Sequence, residues 1–360
     1  MARFVTLLCA GLTLTGLSSA SPAFAGQTAA AKPEAPAAAK KFVPKRLPWG
    51  DPDISGNFTT KDEANTPFER PEQWAGRRIE DITPAEMVKA NEQRRRQALA
   101  NAPYPGGGSR ALGVAIAVPI HWFDSLDTNN ARPWFVSDPP DGKLPPLMEA
   151  ARQRVADAAA KRRLRGTADS YTDRSITDRC IAGGIAAARQ PTLYGNSQQI
   201  LQTKDYVAIR YEGFHETRII PIQGRAASRP RLGPALATIQ GDSVAHWEGD
   251  TLVIETTNFN GRQLVRGVSG PHLHAVERFR RVAPNKVEFS ATFEDSETWT
   301  RPWSFMMPWT EDDAQAVMPY ECHEGNYGLR NILSAGRSDD RKGIKSSDDV
   351  DSQGDLAEIE

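Results

Sequence analysis

The chain has 360 residues, of which 39% are hydrophobic and 25% are charged, a composition typical of a soluble folded protein and not of an intrinsically disordered one. Its 44 Lys and Arg against 45 Asp and Glu give a formal net charge of -1, so the overall charge excludes strong attraction to nucleic acid or to an anionic membrane. The 28 Gly and 26 Pro indicate many turns between short strands.

Residues 1–25 have the three parts of a secretory signal peptide. A positive start precedes a mostly apolar run from Phe4 to Leu17, and Ala23-Phe24-Ala25 matches a cleavage site. The apolar run is shorter than the roughly 20 residues that a membrane anchor needs. We therefore expect a periplasmic or secreted protein with no integral membrane segment after cleavage.

Cleavage would leave Cys180 and Cys322 of the three cysteines in the sequence. In an oxidising compartment, two such thiols normally form a disulfide. Two metal thiolates are the alternative, although the sequence has no C-x-x-C spacing. We expect the two cysteines to pair and to close a long loop, which would stabilise the fold by roughly 2 to 4 kcal/mol.

The mature chain is predicted to have three parts. Residues 26–46 are mostly Ala, Pro and Lys, which is typical of a flexible tether. Residues 334–360 are rich in acidic residues and lack aromatics, which predicts a disordered acidic tail. Residues 47–333 are expected to form a single globular domain.

The first half of this domain, about residues 70–170, is predicted to be rich in helix. One helix is expected over Thr83–Asn101, because Thr83 is followed by Pro84 and then Glu86, which are helix-start signals. A second helix is expected over Pro146–Arg165, which is rich in Ala and Arg.

The second half, about residues 200–310, alternates apolar and polar residues with a period of two. This pattern predicts successive antiparallel strands at Tyr206–Tyr211, Arg218–Ile222, Ser243–Trp247, Thr251–Glu255, His274–Val282, Val287–Asp295 and Trp299–Met307. Consecutive hairpins of this kind close into a barrel or pack as a sandwich. We expect a mainly β protein with a helical N-terminal part, in the α+β class, whose antiparallel β-barrel is lipocalin-like.

A histidine and a carboxylate are predicted to face each other across one hairpin. If Val282 pairs with Val287, His274 lies opposite Asp295. A carboxylate beside an imidazole holds it in one tautomer and makes it a usable general base. The alternative is a structural hydrogen bond, and a shift of one residue in register would abolish the pairing. Phe293 shares this face and is an expected ligand contact.

The next predicted strand places Trp299, Arg301 and Trp303 on one face. A guanidinium between two indoles can stack on them and present its N–H groups to a carboxylate or an oxyanion. In that arrangement, Trp299 and Trp303 would contact a ligand in a pocket. The alternative is a core strand in which Arg301 pairs with a structural acid.

Two segments dense in polar and aromatic residues supply further candidates. Residues 211–218 contain Tyr211 and His215, and residues 320–327 contain His323 and Tyr327. Loops held by a scaffold commonly carry functional residues, and the expected disulfide would hold the second segment in place. We expect the two histidines to take part in catalysis and the two tyrosines to contact the substrate. A purely structural staple is the alternative.

Motifs for metals and nucleotides are missing from the sequence. It has no H-E-x-x-H, no G-x-S-x-G, no phosphate loop and no dinucleotide-binding glycine pattern, so no cofactor is expected. His272 and His274 have a weak ligand spacing. Together with His215 or His323, they leave a metal-dependent hydrolase as an alternative.

Five longer motifs carry a family resemblance. The chain resembles a widespread family of exported bacterial proteins of unassigned function over about residues 50–333. The motifs are PDISGNF at Pro52–Phe58, HWEGDTL at His246–Leu252, LHAVERF at Leu273–Phe279, ETWTRPW at Glu297–Trp303 and CHEGNY at Cys322–Tyr327. The resemblance implies no catalytic residues, because the family has no established activity. It implies, by analogy, a catabolic role outside the cytoplasm.

The leading hypothesis is an exported, cofactor-independent enzyme that acts on a bulky hydrophobic or aromatic small molecule. His274 would be the acid or base, Asp295 would orient it, and Arg301 would stabilise negative charge, which suits a lyase, an isomerase or a hydrolase. The alternative is a lipocalin-like carrier of the same type of ligand. In both cases the expected partner is a small molecule and not nucleic acid.

Overall fold

The computed structural model describes residues 42–64, 66–100, 132–166, 168–185, 191, 195–225, 230–262, 265, 270, 272–314 and 317–343. The predicted signal peptide lies outside the described residues, as do residues 26–41 of the predicted tether and 344–360 of the predicted tail. Within the described ranges, no helix combines the length and the apolar character that crossing a membrane requires.

The two helices expected from the sequence are confirmed, as α1 (Pro84–Ala100) and α2 (Glu149–Arg163). The start of α1 is fixed by reciprocal capping. The Thr83 N–H and hydroxyl donate to Glu86 Oε2 at 2.9 and 2.8 Å, and the Glu86 N–H donates to the Thr83 hydroxyl at 3.3 Å. Pro84 occupies the first helical position, where its missing N–H costs nothing.

A third helix, α3 (Tyr327–Lys342), corrects the prediction for the tail. Disorder from Ser334 onward is wrong for the residues up to Lys342. The Asn326 side chain caps the helix by accepting the Leu329 N–H at 3.1 Å, and Gly343 ends it in the left-handed conformation. The acidic composition of residues 334–360 predicted disorder and hid this helix. The apolar residues Leu329, Ile332 and Leu333, which recur at helical spacing, are the signal that identifies it.

The strands of the described part form a ten-stranded sheet. Their bounds are β1 Gly56–Thr59, β2 Val136–Asp138, β3 Ser197–Gln202, β4 Tyr206–Tyr211, β5 Thr217–Pro221, β6 Asp242–Glu248, β7 Thr251–Thr257, β8 His274–Ala283, β9 Lys286–Glu294 and β10 Trp303–Glu311. The expected hairpins from β4 onward are confirmed. The last strand starts four residues later than predicted, because Trp299 makes an isolated bridge to Leu147 and the chain bends at residues 300–301 before β10 begins.

The sheet order is β5-β4-β3-β1-β10-β9-β8-β7-β6, with β2 paired to the N-terminal end of β10. All the strand pairs along this path are antiparallel. The two end strands, β5 and β6, meet through a parallel bridge between Ile222 and Ala245, and the Gln223 N–H donates to the Ala245 carbonyl at 2.7 Å. The sheet is therefore a nearly closed, lipocalin-like antiparallel barrel, as expected, and not a sandwich.

Aromatic side chains occupy the inside of the barrel. The ring centroid of Trp309 lies 5.3 Å from that of Phe279 and 5.6 Å from that of Phe289. The centroids of Phe289 and Phe305 are also 5.6 Å apart. Each of these residues is at most 1% exposed. Each ring of this size buries a large apolar area, so these side chains contribute strongly to the stability of the barrel.

A buried ion pair crosses the seam between β5 and β6. Arg218 on β5 donates to both carboxylate oxygens of Glu277 on β8, at 2.9 and 2.7 Å. The same guanidinium donates to the hydroxyls of Ser243 on β6 and Thr256 on β7, at 2.9 and 3.2 Å. One side chain thus links β5 to the three strands on the far side of the seam.

One end of the barrel is closed by an inward-facing arginine. Arg281, on β8, donates to the backbone carbonyls of Asp53 and Ser55 at 3.1 and 2.6 Å. Its guanidinium also lies 5.5 Å from the ring centroid of Phe58 on β1. The segment before β1 is therefore held across this end of the barrel.

Replacing Glu277 by Gln should destabilise the protein by about 3–5 kcal/mol, because it leaves the charge of buried Arg218 uncompensated. Arg280→Gln is the matched control, since Arg280 pairs with Glu288 on the outer face at 3.1 Å and exposed pairs contribute about 0–1 kcal/mol. Urea denaturation of both variants measures the difference. Equal losses would show that the interior pair does not hold the seam.

Candidate functional site

The predicted pairing of His274 with Asp295 is wrong by one residue. Arg281 lies opposite Val287 and Ala283 opposite Lys286, so His274 lies opposite Glu294. The cause is a β-bulge between Arg281 and Ala283, which adds one residue to β8 just before a two-residue turn. A one-residue shift reverses the faces of a strand.

This shift places His274 on the outer face of the barrel. The inward residues of β8 are Ala275, Glu277 and Phe279, each fully buried, whereas His274, Arg278 and Arg280 alternate with them and are partly exposed. The mixed composition of the predicted inner face, with two arginines among apolar residues, was the sequence signal for the error.

Asp295 instead stabilises the turn that follows β9. Its buried carboxylate accepts the His272 N–H at 3.1 Å through one oxygen and the Glu297 N–H at 3.0 Å through the other. Its backbone carbonyl accepts the N–H groups of Thr298 and Trp299, each at 2.9 Å. An aspartate that bonds nearby backbone N–H groups is a common turn device. Asp295 is therefore held by local backbone donors and not by an imidazole.

The structure separates Arg301 from the two tryptophans. The side chain of Arg301 is half exposed and pairs with Asp138 at 3.1 Å. Trp299 is buried outside the strand and bridges to Leu147, while Trp303 begins β10. The prediction that these residues share one strand face is wrong, because the strand starts only at Trp303. The pairing of Arg301 with Asp138 agrees with the alternative hypothesis, in which Arg301 pairs with a structural acid.

The aromatic residues expected to contact a ligand lie in the core. Phe293 and Trp303 are fully buried with ring centroids 4.9 Å apart, and Trp299 lies 5.7 Å from Trp303. Tyr211 is also buried, 6.3 Å from the ring of Trp309. Burial raises the pKa of the Tyr211 hydroxyl well above its ordinary value, partly offset by the charge of Arg218. These side chains present no surface to a ligand.

The two polar segments named from the sequence lie in contact. His215 Nε2 accepts the Tyr320 N–H at 2.8 Å, and the rings of Phe214 and Tyr320 have centroids 5.3 Å apart. Phe214 and His215 both adopt positive φ angles, 61° and 54°, a strained conformation for residues other than glycine. The contact thus holds this turn in a conformation that it would not adopt alone.

The hydrogen bond to Tyr320 limits what His215 can do. A nitrogen that accepts a bond uses its lone pair, so the neutral ring carries its proton on Nδ1. In this arrangement Nε2 is occupied as an acceptor and the other ring nitrogen carries the proton, so the neutral imidazole has no free nitrogen to act as a general base. His323 and Tyr327 are exposed, Tyr327 in the first turn of α3.

The disulfide between Cys180 and Cys322 is confirmed, with a sulfur–sulfur distance of 2.06 Å. Asn326 reinforces it, because the side-chain amide donates to the Asp178 carbonyl at 2.8 Å and lies 3.4 Å from Cys180 Sγ. This link ties the start of α3 to residues 178–180.

The hypothesis of a metal-dependent hydrolase requires a set of metal ligands. In the described part of the chain, no group of three or more His, Cys, Asp or Glu side chains is arranged to hold an ion. His272 pairs with Glu297 at 3.3 Å on the surface.

A cleft of about 410 Å³ lies against α1, outside the barrel. We call it the α1 cleft, and its lining residues are Pro67, Glu69, Arg70, Pro71, Gln73, Ala90, Gln93, Arg94 and Lys143. Sequence reasoning missed it, because its walls come from three segments that are distant along the chain. The run of arginines in α1 is the sequence feature nearest to the cleft, and a run of this kind is more typical of a solvated helix face.

Two guanidinium groups of the α1 cleft have no carboxylate partner among the described residues. Arg94 Nη2 donates to the Asn91 side-chain oxygen, and its buried Nε has no acceptor. Arg70 donates to the Arg77 carbonyl at 3.2 Å and lies 5.9 Å from the ring centroid of Trp134. Burial lowers the pKa of Arg94 to about 10.

The other charged groups of the α1 cleft are already engaged. Lys143 pairs with Glu72 at 3.3 Å, and Glu69 accepts the Leu144 N–H through Oε1. Three cations, Arg70, Arg94 and Lys143, and one carboxylate, Glu69, line the cleft, so its wall keeps a net positive charge even when the pairing of Lys143 with Glu72 is counted.

Comparison of the sequence with models of known protein families gives no match, and comparison with curated proteins also gives none. The site is therefore interpreted from its own geometry.

A double-mutant cycle tests the separation of His274 and Asp295. Asp295→Ala should destabilise the protein by about 1–3 kcal/mol, because it removes the acceptor of buried backbone N–H groups. His274→Ala should change stability by less than about 0.5 kcal/mol. The two effects should be additive within about 0.5 kcal/mol in chemical denaturation. A larger interaction energy would indicate that the two side chains form a pair after all.

Glu86 should make the stability of the protein depend on pH. Hydrogen bonds from Arg77 and Thr83 lower its pKa from 4.5 to about 2. The stabilisation is therefore present above pH 4.5 and is lost as the pH falls towards 2. The difference in unfolding free energy between the wild type and Glu86→Gln should shrink from pH 6 to pH 3, measured by urea denaturation. A difference that does not vary with pH would contradict this role.

Proposed function

We propose that this protein is a small-molecule binding protein, a lipocalin-like carrier whose ligand occupies the α1 cleft. The observation that carries the proposal is the size of that cleft, about 410 Å³, which falls within the range of about 300–1,000 Å³ typical of small-molecule sites.

The composition of the walls suits a ligand with apolar and polar parts. Pro67, Pro71 and Ala90 supply apolar surface, while Gln73 and Gln93 supply amide donors and acceptors. Ligand sites usually combine such a surface with a few placed polar groups.

The interior of the barrel supports a site outside it. Lipocalin-like barrels can hold a ligand inside when the inward positions leave space. Here those positions carry large aromatic side chains such as Trp309 and Phe289, with almost no exposed surface. The ion pair of Arg218 and Glu277 occupies further interior volume.

Binding is favoured over catalysis by the positions of the histidines. A general base needs a free nitrogen within reach of a bound substrate. His215 Nε2 is engaged by Tyr320, and His274 lies on the outer face of β8, away from Asp295. The enzyme hypothesis stays a prediction that this geometry does not favour.

A location outside the cytoplasm is part of the proposal. The disulfide between Cys180 and Cys322 supports it, because such bonds persist mainly in oxidising compartments. The N-terminal signal pattern and the resemblance to exported proteins support it as well.

Blocking the α1 cleft should abolish binding. Gln93→Trp adds a bulky side chain at an exposed position that lines the cleft, and Glu92→Trp adds the same group at the neighbouring exposed position outside it. Saturation-transfer NMR with benzyl alcohol, cyclohexanol, benzoate and hexanoate measures binding. We expect at least one probe to bind the wild type and Glu92→Trp and to lose binding in Gln93→Trp.

Two outcomes would refute the proposal. One is equal binding by the wild type and Gln93→Trp. The other is no binding of any of the four probes by the wild type at millimolar concentration.

A further inference from the structure

Arg94 is partly buried and differs from Arg218 and Arg132 in the charges that surround it. Glu277 holds the pKa of Arg218 above its ordinary value, although burial alone would lower it. At Arg132, burial lowers the pKa while Glu288 and Glu63 oppose the change. For Arg94, burial is the cause of the shift and no carboxylate opposes it. Arg94 therefore has no paired carboxylate within the described part of the chain, and Glu69 is the one carboxylate among the residues that line its cleft.

An uncompensated buried cation is costly, since its charge has lost water without gaining an opposite charge. The bond to the neutral amide of Asn91 does not supply that charge. The guanidinium lines an accessible cleft, where a bound anion could supply it.

A second guanidinium is available in the same cleft. Arg70 is steadied by the Arg77 carbonyl and by the face of Trp134, and neither partner carries a charge. Two arginines that line one cleft offer several N–H groups, and the planar fork of each matches the two oxygens of a carboxylate or a phosphate.

We propose that the α1 cleft recognises an oxyanion, a carboxylate or phosphate group on a small organic molecule, through Arg94 and Arg70. This inference rests on the proposed function and specifies the ligand class. The apolar wall formed by Pro67, Pro71 and Ala90 would contact the organic part of the ligand.

The key variant is Arg94→Gln, and Arg96→Gln is its matched control. Arg96 lies on the same helix, is mostly exposed and has its own partner, Glu92, at 3.8 Å. Isothermal titration calorimetry with benzoate, with the uncharged analogue benzyl alcohol and with inorganic phosphate measures the affinities at constant ionic strength.

We expect benzoate or phosphate to bind Arg94→Gln at least about tenfold more weakly than the wild type, and to bind Arg96→Gln normally. Benzyl alcohol should bind more weakly than benzoate to the wild type and should be insensitive to either substitution. Loss of phosphate binding in Arg94→Gln would support the oxyanion site equally, with phosphate as the preferred group.

The stability of the free protein gives a second readout. If Arg94 serves a ligand, Arg94→Gln removes an uncompensated charge, so its thermal midpoint without ligand should equal or exceed that of the wild type. If Arg94 only supports α1 through Asn91, the midpoint should fall, and this result would overturn the inference.

Other results separate this inference from the proposed function. Anion recognition would be overturned if the wild type and Arg94→Gln bound benzoate equally and also bound phosphate equally, and the cleft would remain a ligand site if Gln93→Trp still blocks binding. A wild type that binds benzoate and benzyl alcohol with equal affinity and does not bind phosphate would overturn it as well. If none of the probes used here and in the cleft-blocking experiment binds the wild type, both proposals fail.

Discussion

The ion pair between Arg218 and Glu277 is the interaction on which closure of the barrel depends. The end strands β5 and β6 run parallel and, within the described structure, share the bridge between Ile222 and Ala245 as their pairing. A single bridge is weak compared with the antiparallel ladders elsewhere in the sheet. The guanidinium compensates by bonding to groups on three strands beyond the seam. Neither member can be lost alone, because the other charge would stay buried.

Closure in turn determines where a ligand can bind. The seam brings the inward face of β5 against that of β8, and the aromatic side chains of β8, β9 and β10 fill the space between the walls. Arg281 and the segment before β1 cover one end. A barrel packed in this way is a rigid scaffold, and the segments that cross its outside, including α1, form the accessible cleft.

The sequence predicts the hairpins of this fold well because their signal is local. Alternation of apolar and polar residues identifies β4 to β9, and the Thr83, Pro84 and Glu86 signals identify α1 within a residue. Such patterns do not report where a strand gains a residue, so the bulge before Ala283 reversed the faces of β8 and removed the expected partner of His274. The short strands β1 and β2 have too few residues for a pattern and are defined by their partners, β3 and β10 for β1 and β10 for β2.

Arg218 and Arg94 show why the site could not be found by the same means. Arg218 shares the buried face of β5 with Ile220 and pairs with an acid 59 residues away, while Arg94 belongs to a helical run of arginines that is typical of a solvated face. Only the folded structure shows which of the two arginines is paired with a carboxylate. One guanidinium is buried with its counter-charge and holds strands together. The other, Arg94, is partly buried at the wall of the α1 cleft and has no paired carboxylate among the residues that the structure describes.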